Sequence, residues 1–543
     1  MNAPAEARDV DVDVVVVGAG FAGMYMLHKL RSLGFTSRVI EMGDDVGGTW
    51  YWNRYPGARC DVPSMEYSYS FDPQLEQDWE WTEKYSGQPE ILSYANHVAD
   101  RFDLRSDITF STRVTGAELD EATSTWTVTT RHEETGDDET IRSRFVVLAT
   151  GCLSSANLPD IEGRDDFAGP VLHTGRWPHE PVDFTGRRVA VIGTGSSGIQ
   201  TIPVVAEESA HLTVFQRTPN YSVPARNEPL DPAFQADVKA RYRELRAANL
   251  EQSGGFGSMT VRYEESAKAA ADDARAERYT QRWEAGGFPF LSSYNDLLLD
   301  GESNVTAAQY VRDRIAETVE DPAVAEMLSP EQVIGCKRLC LDTGYFETFN
   351  RDDVDLVDIK ADPIARITPT GLELESGAVH EFDMLVFATG FDAMTGSILK
   401  IDPVGRGGTS IAEAWEAGPV NYLGLQVAGF PNLFTITGPG SPSVLTNMIV
   451  SIEQHVDWIS DAMVHLRDEG LESIEAAVDA QDGWVAHVNG VASFTLFPTC
   501  NSWYLGANIP GKPRVFMPLP GFPDYKAKCD DVAAKGYEGF VLT

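Results

Sequence analysis

The sequence predicts an α/β protein with two Rossmann-like dinucleotide-binding domains, the second of which carries a helical insertion. Two pairs of features support this prediction. A glycine-rich turn follows a buried strand near the start of the chain and again after residue 187, and two later strands both end in Ala-Thr-Gly. Since such a turn follows the first strand of a dinucleotide-binding fold, two turns predict two such folds.

The first turn lies in "VDVVVVGAGFAG", where a run of β-branched residues ends in the pattern G-x-G-x-x-G. Its predicted binding residues are Gly18, Gly20, Ala22 and Gly23. Glycines at this spacing allow a tight turn and bring the backbone close to a pyrophosphate at a helix N-terminus. The next strand, "SRVIEM", ends at Glu41, and an acid there accepts hydrogen bonds from a ribose hydroxyl.

The second turn lies in "GRRVAVIGTGSSGIQ" and repeats the pattern with Gly193, Gly195 and Gly198. The strand that follows is "HLTVFQRT". It carries Arg217 and Thr218 where the first unit carries its acid. A cation beside a hydroxyl suits a 2′-phosphate, so this site is predicted to prefer NADPH to NADH.

Two dinucleotide folds in one chain indicate a flavoprotein that is reduced by NADPH. Strands of the kind seen at 144–151 and 382–390 bring the chain back between two nucleotide domains. Stretches rich in Ala, Glu and Arg predict helices that form a lid or a substrate wall. The predicted parts are an FAD domain at 1–150 and 390–543, an NADP domain at 151–224 and 331–389, and a helical insertion at 225–330.

Composition narrows the class of protein further. The chain has 543 residues and a net charge of −39, which argues against binding to nucleic acid or to anionic membranes. No run reaches the roughly 18 apolar residues of a membrane span, and no secretory signal is evident. The six cysteines are scattered, so isolated thiols in a reducing cytoplasm are expected, without a metal site.

The stretch between the first Ala-Thr-Gly and the second turn reads as a linker with an unusual composition. Within 167–178 the pattern is F-x-G-x-x-x-H-x-x-x-W-P, formed by Phe167, Gly169, His173, Trp177 and Pro178. It resembles the fingerprint of type I Baeyer–Villiger monooxygenases. Flavin-containing and N-hydroxylating monooxygenases have a related motif that typically ends in another residue. The resemblance implies a hinge role for His173 and Trp177, without acid–base chemistry.

The resemblance extends over essentially the whole chain. It includes "VGGTWYWNRYPGARCDVPSMEYSYSF" (46–71), "GTGSSGIQ" (193–200), "ATGFDAMTG" (388–396), "GPGSPSVLTNM" (438–448) and "SWYLGANIPGKPRVFM" (502–517). Within the family, the chain looks most similar to phenylacetone and steroid monooxygenases, and less similar to cyclohexanone monooxygenases. The family implies FAD, NADPH and O₂ as reactants and a C4a-peroxyflavin that converts aryl, cyclic or steroid-like ketones to esters or lactones.

The resemblance also implies site residues. Arg338 in "GCKRLC" matches the catalytic arginine and Asp61 in "ARCDVPS" matches its carboxylate partner. Implied flavin contacts are Thr49, Trp50, Tyr51, Trp52, Asp61, Tyr67, Val114 and Met448, with Glu41. Implied NADP contacts are Arg59, Cys60, Thr194, Ser196, Ser197, Ile199, Gln200, Lys337, Arg338 and Trp503, with Arg217 and Thr218. The implied substrate wall is Ser443, Val444, Leu445 and Thr446.

Three other functions remain alternatives at this point. An S- or N-oxygenating flavin monooxygenase has no need of an Asp61–Arg338 pair. A dithiol–disulfide flavoreductase needs a redox cysteine pair at the flavin, and Cys60 has no cysteine close by in sequence. A non-catalytic redox sensor tolerates loss of Arg338, which is present. The leading prediction is a cytoplasmic ketone monooxygenase, monomeric or weakly self-associating.

Overall fold

The structure is a computed structural model that describes residues 10–543, so the predicted start of the first domain at residues 1–9 lies outside it. The strands, numbered along the chain, are β1 (Val12–Val17), β2 (Ser37–Ile40), β3 (Ile108–Thr109), β4 (Thr112–Asp120), β5 (Thr125–His132), β6 (Asp138–Leu148), β7 (Val171–His173), β8 (Arg188–Ile192), β9 (His211–Gln216), β10 (Ser222–Pro224), β11 (Cys340–Asp342), β12 (Val354–Asp358), β13 (Ile364–Thr368), β14 (Gly371–Leu374), β15 (Val379–Glu381), β16 (Met384–Phe387), β17 (Leu433–Thr435), β18 (Ile474–Ala476) and β19 (Phe540–Leu542).

Helices connect and cover these strands. They are α1 (Phe21–Ser32), α2 (Thr49–Trp52), α3 (Pro73–Asp78), α4 (Gln88–Arg101), α5 (Ser196–Glu208), α6 (Pro232–Ala240), α7 (Tyr242–Leu250), α8 (Asp272–Ala285), α9 (Gly301–Thr318), α10 (Pro322–Leu328), α11 (Tyr345–Thr348), α12 (Gly396–Ile401), α13 (Ile411–Ala414), α14 (Met448–Glu469), α15 (Val478–Ser493) and α16 (Phe522–Ala534). Within residues 10–543, none of these helices is both long and apolar enough to cross a bilayer.

The first glycine turn belongs to a seven-stranded sheet. Its strand order is β3-β2-β1-β6-β5-β4, and β17 also pairs with β6. The pairings of β1 with β2 and β6 are parallel, whereas β4, β5 and β6 form an antiparallel meander. Parallel strands buried on both faces require near-continuous apolar runs, which explains the four valines at the end of β1.

The second glycine turn belongs to a separate five-stranded parallel sheet. Its order is β12-β9-β8-β16-β7, with β8 at its centre. Val191 in β8 lies opposite Val214 in β9 and Val386 in β16. The α/β class with two sheets of this kind is therefore confirmed, and the exact domain boundaries stay a prediction.

Two expectations from the sequence are corrected by the structure. The stretch read as a linker contains β7, which is the edge strand of the second sheet, because Val171–His173 pair with β16. The cysteines are not all isolated thiols, because Cys336 and Cys500 form a disulfide across 164 residues of sequence. The other four cysteines are free and buried.

The segment predicted as a helical insertion contains α6 to α10. Aromatic residues hold these helices together, as where Tyr279 of α8 packs against Phe290 and against Tyr310 of α9. Phe288 lies in the glycine-flanked bend between α8 and α9 and packs against Phe256. This bend brings the helical insertion close to Arg338.

Candidate active site

The predicted catalytic pair forms one compact ion pair. Arg338 donates through Nε and Nη2 to the two carboxylate oxygens of Asp61, with Nη2 and Oδ1 2.7 Å apart. Both side chains are less than a quarter exposed. Burial opposes the charge on Arg338, but the Asp61 carboxylate outweighs it and raises the arginine pKa above its usual range. The guanidinium therefore stays charged at every working pH.

A third contact fixes the orientation of the guanidinium. Arg338 Nη1 donates to the carbonyl oxygen of Val444 at 2.7 Å. The ring of Phe288 lies 5.0 Å from the guanidinium carbon, close enough for a cation–π contact. An arginine side chain has five N–H donors, and three of them are used by Asp61 and Val444. The remaining two have no acceptor within residues 10–543.

The first glycine turn has the shape that a pyrophosphate site requires. Gly18 has φ +103°, and a Cβ there would lie 2.7 Å from the carbonyl oxygen of Ala149. Glu41, directly after β2, is buried and accepts the amide hydrogens of Ala19 and Gly43 at 2.7 Å. Burial raises the pKa of Glu41, and these hydrogen bonds lower it. The turn and the acid therefore meet at the carboxyl end of β1 and β2, where this fold binds a dinucleotide.

The second turn repeats this geometry in the other sheet. Gly193 has φ +114°, and a Cβ on it would overlap the carbonyl of Ala388 at the end of β16. No atom lies within 4 Å of the Cβ position of Gly195, so this side of the turn is open to a ligand. Thr194 is buried and donates to the carbonyl of Thr218. The residues present fit a second dinucleotide.

Two cations face this second turn. Arg217 is exposed at the end of β9, and Lys337 is half-buried beside Arg338. Burial lowers the pKa of Lys337, and the positive charge of Arg217 lowers it further. Within the described residues neither one forms an ion pair. A pair of uncompensated cations suits a phosphate dianion.

Hydrogen bonds connect the segment of Asp61 to the second turn. Gln200 on α5 donates to the carbonyl of Arg59 at 3.0 Å and accepts from Tyr55 at 2.8 Å. The Oγ of Ser196 lies 3.1 Å from the Sγ of Cys340. Arg59 itself pairs with Glu83. The predicted group of 59–61 and 194–200 is therefore brought together.

The aromatic segment of α2 lies on the side of the first turn. Trp50 donates to the hydroxyl of Tyr67 at 3.1 Å, and Trp52 is partly buried. Burial raises the pKa of Tyr67 above its usual range, and the Asp61 carboxylate raises it further. Tyr51 donates to Asp44 at 2.5 Å, whereas Thr49 is exposed. Trp50 and Tyr67 therefore lie near the ion pair.

The predicted substrate wall forms one hydrophobic cluster. Its members include Val444, Leu445 and Met448, with Trp503 packed against them. The hydroxyls of Ser443 and Thr446 bond inwards, to the carbonyl of Thr437 and to Ser451. Val114, a predicted flavin contact, packs in the core of the first sheet with Val15 and Val17.

Sequence reasoning missed three residues of the site, Tyr55, Phe288 and Tyr504. Tyr504 is buried, and it lies close enough to Arg338 for their charges to affect each other's pKa. Because Tyr504 directly follows the predicted contact Trp503, the sequence could have identified it as a site residue. Phe288 gives no such signal, because an aromatic residue in a helical segment is usually core packing.

The contacts of His173 give it a structural role in joining two segments of the chain. Its Nδ1 accepts the amide hydrogen of Gly175 at 2.9 Å, and its Nε2 lies 3.3 Å from Thr389 and from the carbonyl of Asn157. Burial lowers its pKa. Trp177 is buried, and its amide donates to the carbonyl of Trp52. His173 thus ties the end of β7 to the segment after β16, and Trp177 ties the next turn to α2.

Comparison with known proteins agrees with this arrangement. Residues 12–247 match the family described as pyridine nucleotide-disulphide oxidoreductase. A Baeyer-Villiger monooxygenase of Pseudooceanicola batsensis is 43% identical, over 98% of this chain and 96% of its own. The solved structure "Oxidized steroid monooxygenase bound to NADP" is 51% identical with a TM-score of 0.91, over 98% of this chain and 99% of that one.

Two solved structures of cyclohexanone monooxygenase, one described as closed and one as open, also resemble this chain. The closed form is 42% identical with a TM-score of 0.94, and the open form is 40% identical with a TM-score of 0.90. Each alignment covers 98% of this chain and 99% of the other. Identities of this size over nearly the full length establish common descent. The chain belongs to the family of the Baeyer–Villiger monooxygenases.

Proposed function

We propose that this protein is an FAD-containing, NADPH- and O₂-dependent Baeyer–Villiger monooxygenase that converts ketones to esters or lactones. The observation that carries the proposal is the Arg338–Asp61 ion pair, with two guanidinium N–H groups left free. FAD, when bound, supplies the activation of O₂ and the transfer of one oxygen atom. Glu41 and the turn at Gly18 would hold its ribose and pyrophosphate.

Arg338 would stabilise negative charge as it develops on the substrate oxygen. A donor that is already oriented costs no reorganisation during the reaction, and removing one such donor typically lowers kcat about 10²- to 10³-fold. Asp61 holds the planar guanidinium from one side, and the carbonyl of Val444 holds it from another. The free N–H groups can then point in only one direction.

Arg217 and Lys337 support the choice of NADPH. Both cations lie at the second turn without a carboxylate partner within residues 10–543, so they can neutralise a 2′-phosphate. NADH lacks this phosphate and would leave the two charges uncompensated. Trp503 and the turn residues 194–200 would contact the rest of the nucleotide.

The side chains around Arg338 support an uncharged substrate with apolar groups. Phe288, Val444, Leu445 and Trp503 offer no charge with which to recognise an ionic group. Aryl, cyclic and steroid-like ketones share this chemistry. S- or N-oxygenation is the disfavoured alternative, because it needs no arginine fixed by a carboxylate.

The test is a product assay with the FAD-loaded protein, NADPH and air. Phenylacetone and cyclohexanone are offered in parallel with a sulfide and a tertiary amine. We expect benzyl acetate or the lactone, detected by gas chromatography and mass spectrometry, as the main oxygenated product. Sulfoxide or N-oxide without any ester would refute the proposal.

A further inference from the structure

The disulfide between Cys336 and Cys500 joins two segments of the proposed site. Cys336 directly precedes Lys337 and Arg338, while Cys500 lies in the turn that leads to Trp503 and Tyr504. The two Cα atoms are 5.9 Å apart, within the usual range for a disulfide. The bond therefore links the arginine segment to the segment 497–512, which packs on the substrate wall.

The arginine side of this link is firmly anchored. Asn304 on α9 donates to the carbonyl of Ile334 and accepts its amide hydrogen, at 2.9 and 3.1 Å. Segment 497–512 is held more weakly, because most of its hydrogen bonds are internal turns. Its outward polar contacts include those of Asn508 with Phe391 and of Lys512 with Asp392. A covalent bond adds most restraint to such a segment.

The two cysteines differ in accessibility. Cys336 is 2% exposed, whereas Cys500 is partly exposed. The four other cysteines are buried and unpaired. An external thiol or peroxide can therefore reach this pair at Cys500, and Cys336 is the natural second sulfur.

We propose that Cys336 and Cys500 form a reversible redox site that controls how easily segment 497–512 moves away from Arg338. Structures of cyclohexanone monooxygenase solved as closed and open forms match this chain with TM-scores of 0.94 and 0.90. The disulfide favours the closed arrangement, and reduction permits opening and exchange of the nicotinamide nucleotide. This last step rests on the proposed function.

The redox chemistry balances with simple reactants. In oxidation, one thiol gives two electrons to hydrogen peroxide, forming a sulfenic acid and water, and the second thiol displaces a second water as the S–S bond forms. In reduction, a dithiol attacks the Cys500 sulfur and releases the Cys336 thiolate, which takes up a proton. The second thiol of the reductant then releases Cys500 and leaves as a cyclic disulfide.

Three measurements on the FAD-loaded protein test this proposal. After peroxide treatment and denaturation, maleimide should label four of the six cysteines, and after dithiothreitol all six. Amide exchange in peptides covering 497–512 should then rise on the order of tenfold on reduction, with α14 unchanged. NADP⁺ should dissociate faster by a similar factor.

Variants separate the disulfide from other effects of the reductant. In C500S, amide exchange of segment 497–512 should equal that of the reduced wild-type protein and should not change on adding dithiothreitol. C529A, whose cysteine is not part of the disulfide, should respond to dithiothreitol as the wild type does. Six labelled cysteines after oxidation, or equal amide exchange in both states, would overturn the redox site. The first two measurements need no turnover, so their failure is distinct from a failure of the monooxygenase assignment. Equal NADP⁺ dissociation alone would overturn the link to nucleotide exchange.

Discussion

At the scale of single residues, the proposed NADP site contains two cations that form no ion pair within residues 10–543. Arg217 and Lys337 are neighbouring cations without an ion pair in the described chain, although the protein carries 82 acidic residues against 43 basic ones. Two adjacent cations with no carboxylate partner are available to an anionic ligand, which the proposed function identifies as the 2′-phosphate.

We expect Arg217→Ala to raise the KM for NADPH about 10- to 100-fold, because the binding free energy of one charge-assisted hydrogen bond is lost. NADH has no 2′-phosphate, so its KM should hardly change. Steady-state oxidation of both coenzymes by the FAD-loaded protein measures the two values. Arg188→Ala is the matched control, because Arg188 lies at the opposite end of β8 and pairs with Asp383. An equal loss with both coenzymes would contradict the assignment.

At the scale of elements, the two glycine turns are built alike. A Cβ on Gly23 would overlap the carbonyl oxygen of Gly18, and a Cβ on Gly198 would overlap that of Gly193. In each turn the third glycine thus lets the helix pack against the turn itself. Glycine is therefore required at both positions for a steric reason, because any side chain would collide with the backbone of the turn.

We expect Gly23→Ala to destabilise the protein by about 1–3 kcal/mol, since the clash is with backbone that cannot rotate away. The FAD content after purification should fall as well. Thermal unfolding and the flavin-to-protein absorbance ratio measure both effects. Gly116→Ala in β4 is the control, because no atom lies within 4 Å of its Cβ position. Full FAD content and an unchanged Tm in Gly23→Ala would refute this steric account.

A buried histidine joins α14 to its neighbours. Thr437 donates its amide hydrogen to Nδ1 of His455 at 2.8 Å, so Nε2 carries the proton towards Tyr525, whose hydroxyl donates to Leu423. Burial lowers the pKa of His455 to about 3. The unfolded chain binds a proton near the ordinary value of 6.5, whereas the folded protein does not.

We therefore expect His455 to favour unfolding progressively as the pH falls below 6.5, by up to about 1.4 kcal/mol per pH unit. His455→Gln should show a shallower decline of Tm between about pH 7 and pH 5. His211→Gln is the control, because the His211 side chain is 36% exposed and lies beside Asp355 at the protein surface. Parallel declines in wild type and His455→Gln would contradict the buried neutral histidine.

Much of the secondary structure could be predicted from the sequence. The glycine turns and the strands ending at Leu148 and Phe387 have local signals, namely apolar runs and glycine spacing. The edge strand β7 has only three residues in a polar stretch, so its pairing depends on β16, far away in sequence. The Cys336–Cys500 bond and the approach of Phe288 to Arg338 likewise arise from tertiary packing, which no local pattern encodes.

At the scale of the whole molecule, the net charge of −39 is the main electrostatic feature. Like charges repel across the surface and oppose the compact state. We expect Tm to rise on adding sodium chloride, with most of the gain below about 0.2 M, because screening reaches a Debye length of about 8 Å near 0.15 M. Calorimetry over a salt series measures the curve. A steady linear rise would indicate general salting-out instead, and a fall would contradict the repulsion.

The arrangement of the molecule places Arg338 where three parts of the chain meet. Its carboxylate partner lies between α2 and α3, its carbonyl partner precedes α14, and Phe288 comes from the helical insertion. We propose that this arginine serves oxygen transfer and not flavin reduction. One comparison separates the two steps, the ester formed per NADPH consumed with phenylacetone.

For Arg338→Ala we expect NADPH to reduce the flavin at a rate near that of wild type, while ester formation falls about 10²- to 10³-fold. Arg338→Lys should recover little, because an ammonium cannot reproduce the planar fork that binds Asp61. Bound FAD, checked by its absorbance, ensures that each variant is loaded. Ester produced by Arg338→Ala at a near-normal yield per NADPH would contradict the account.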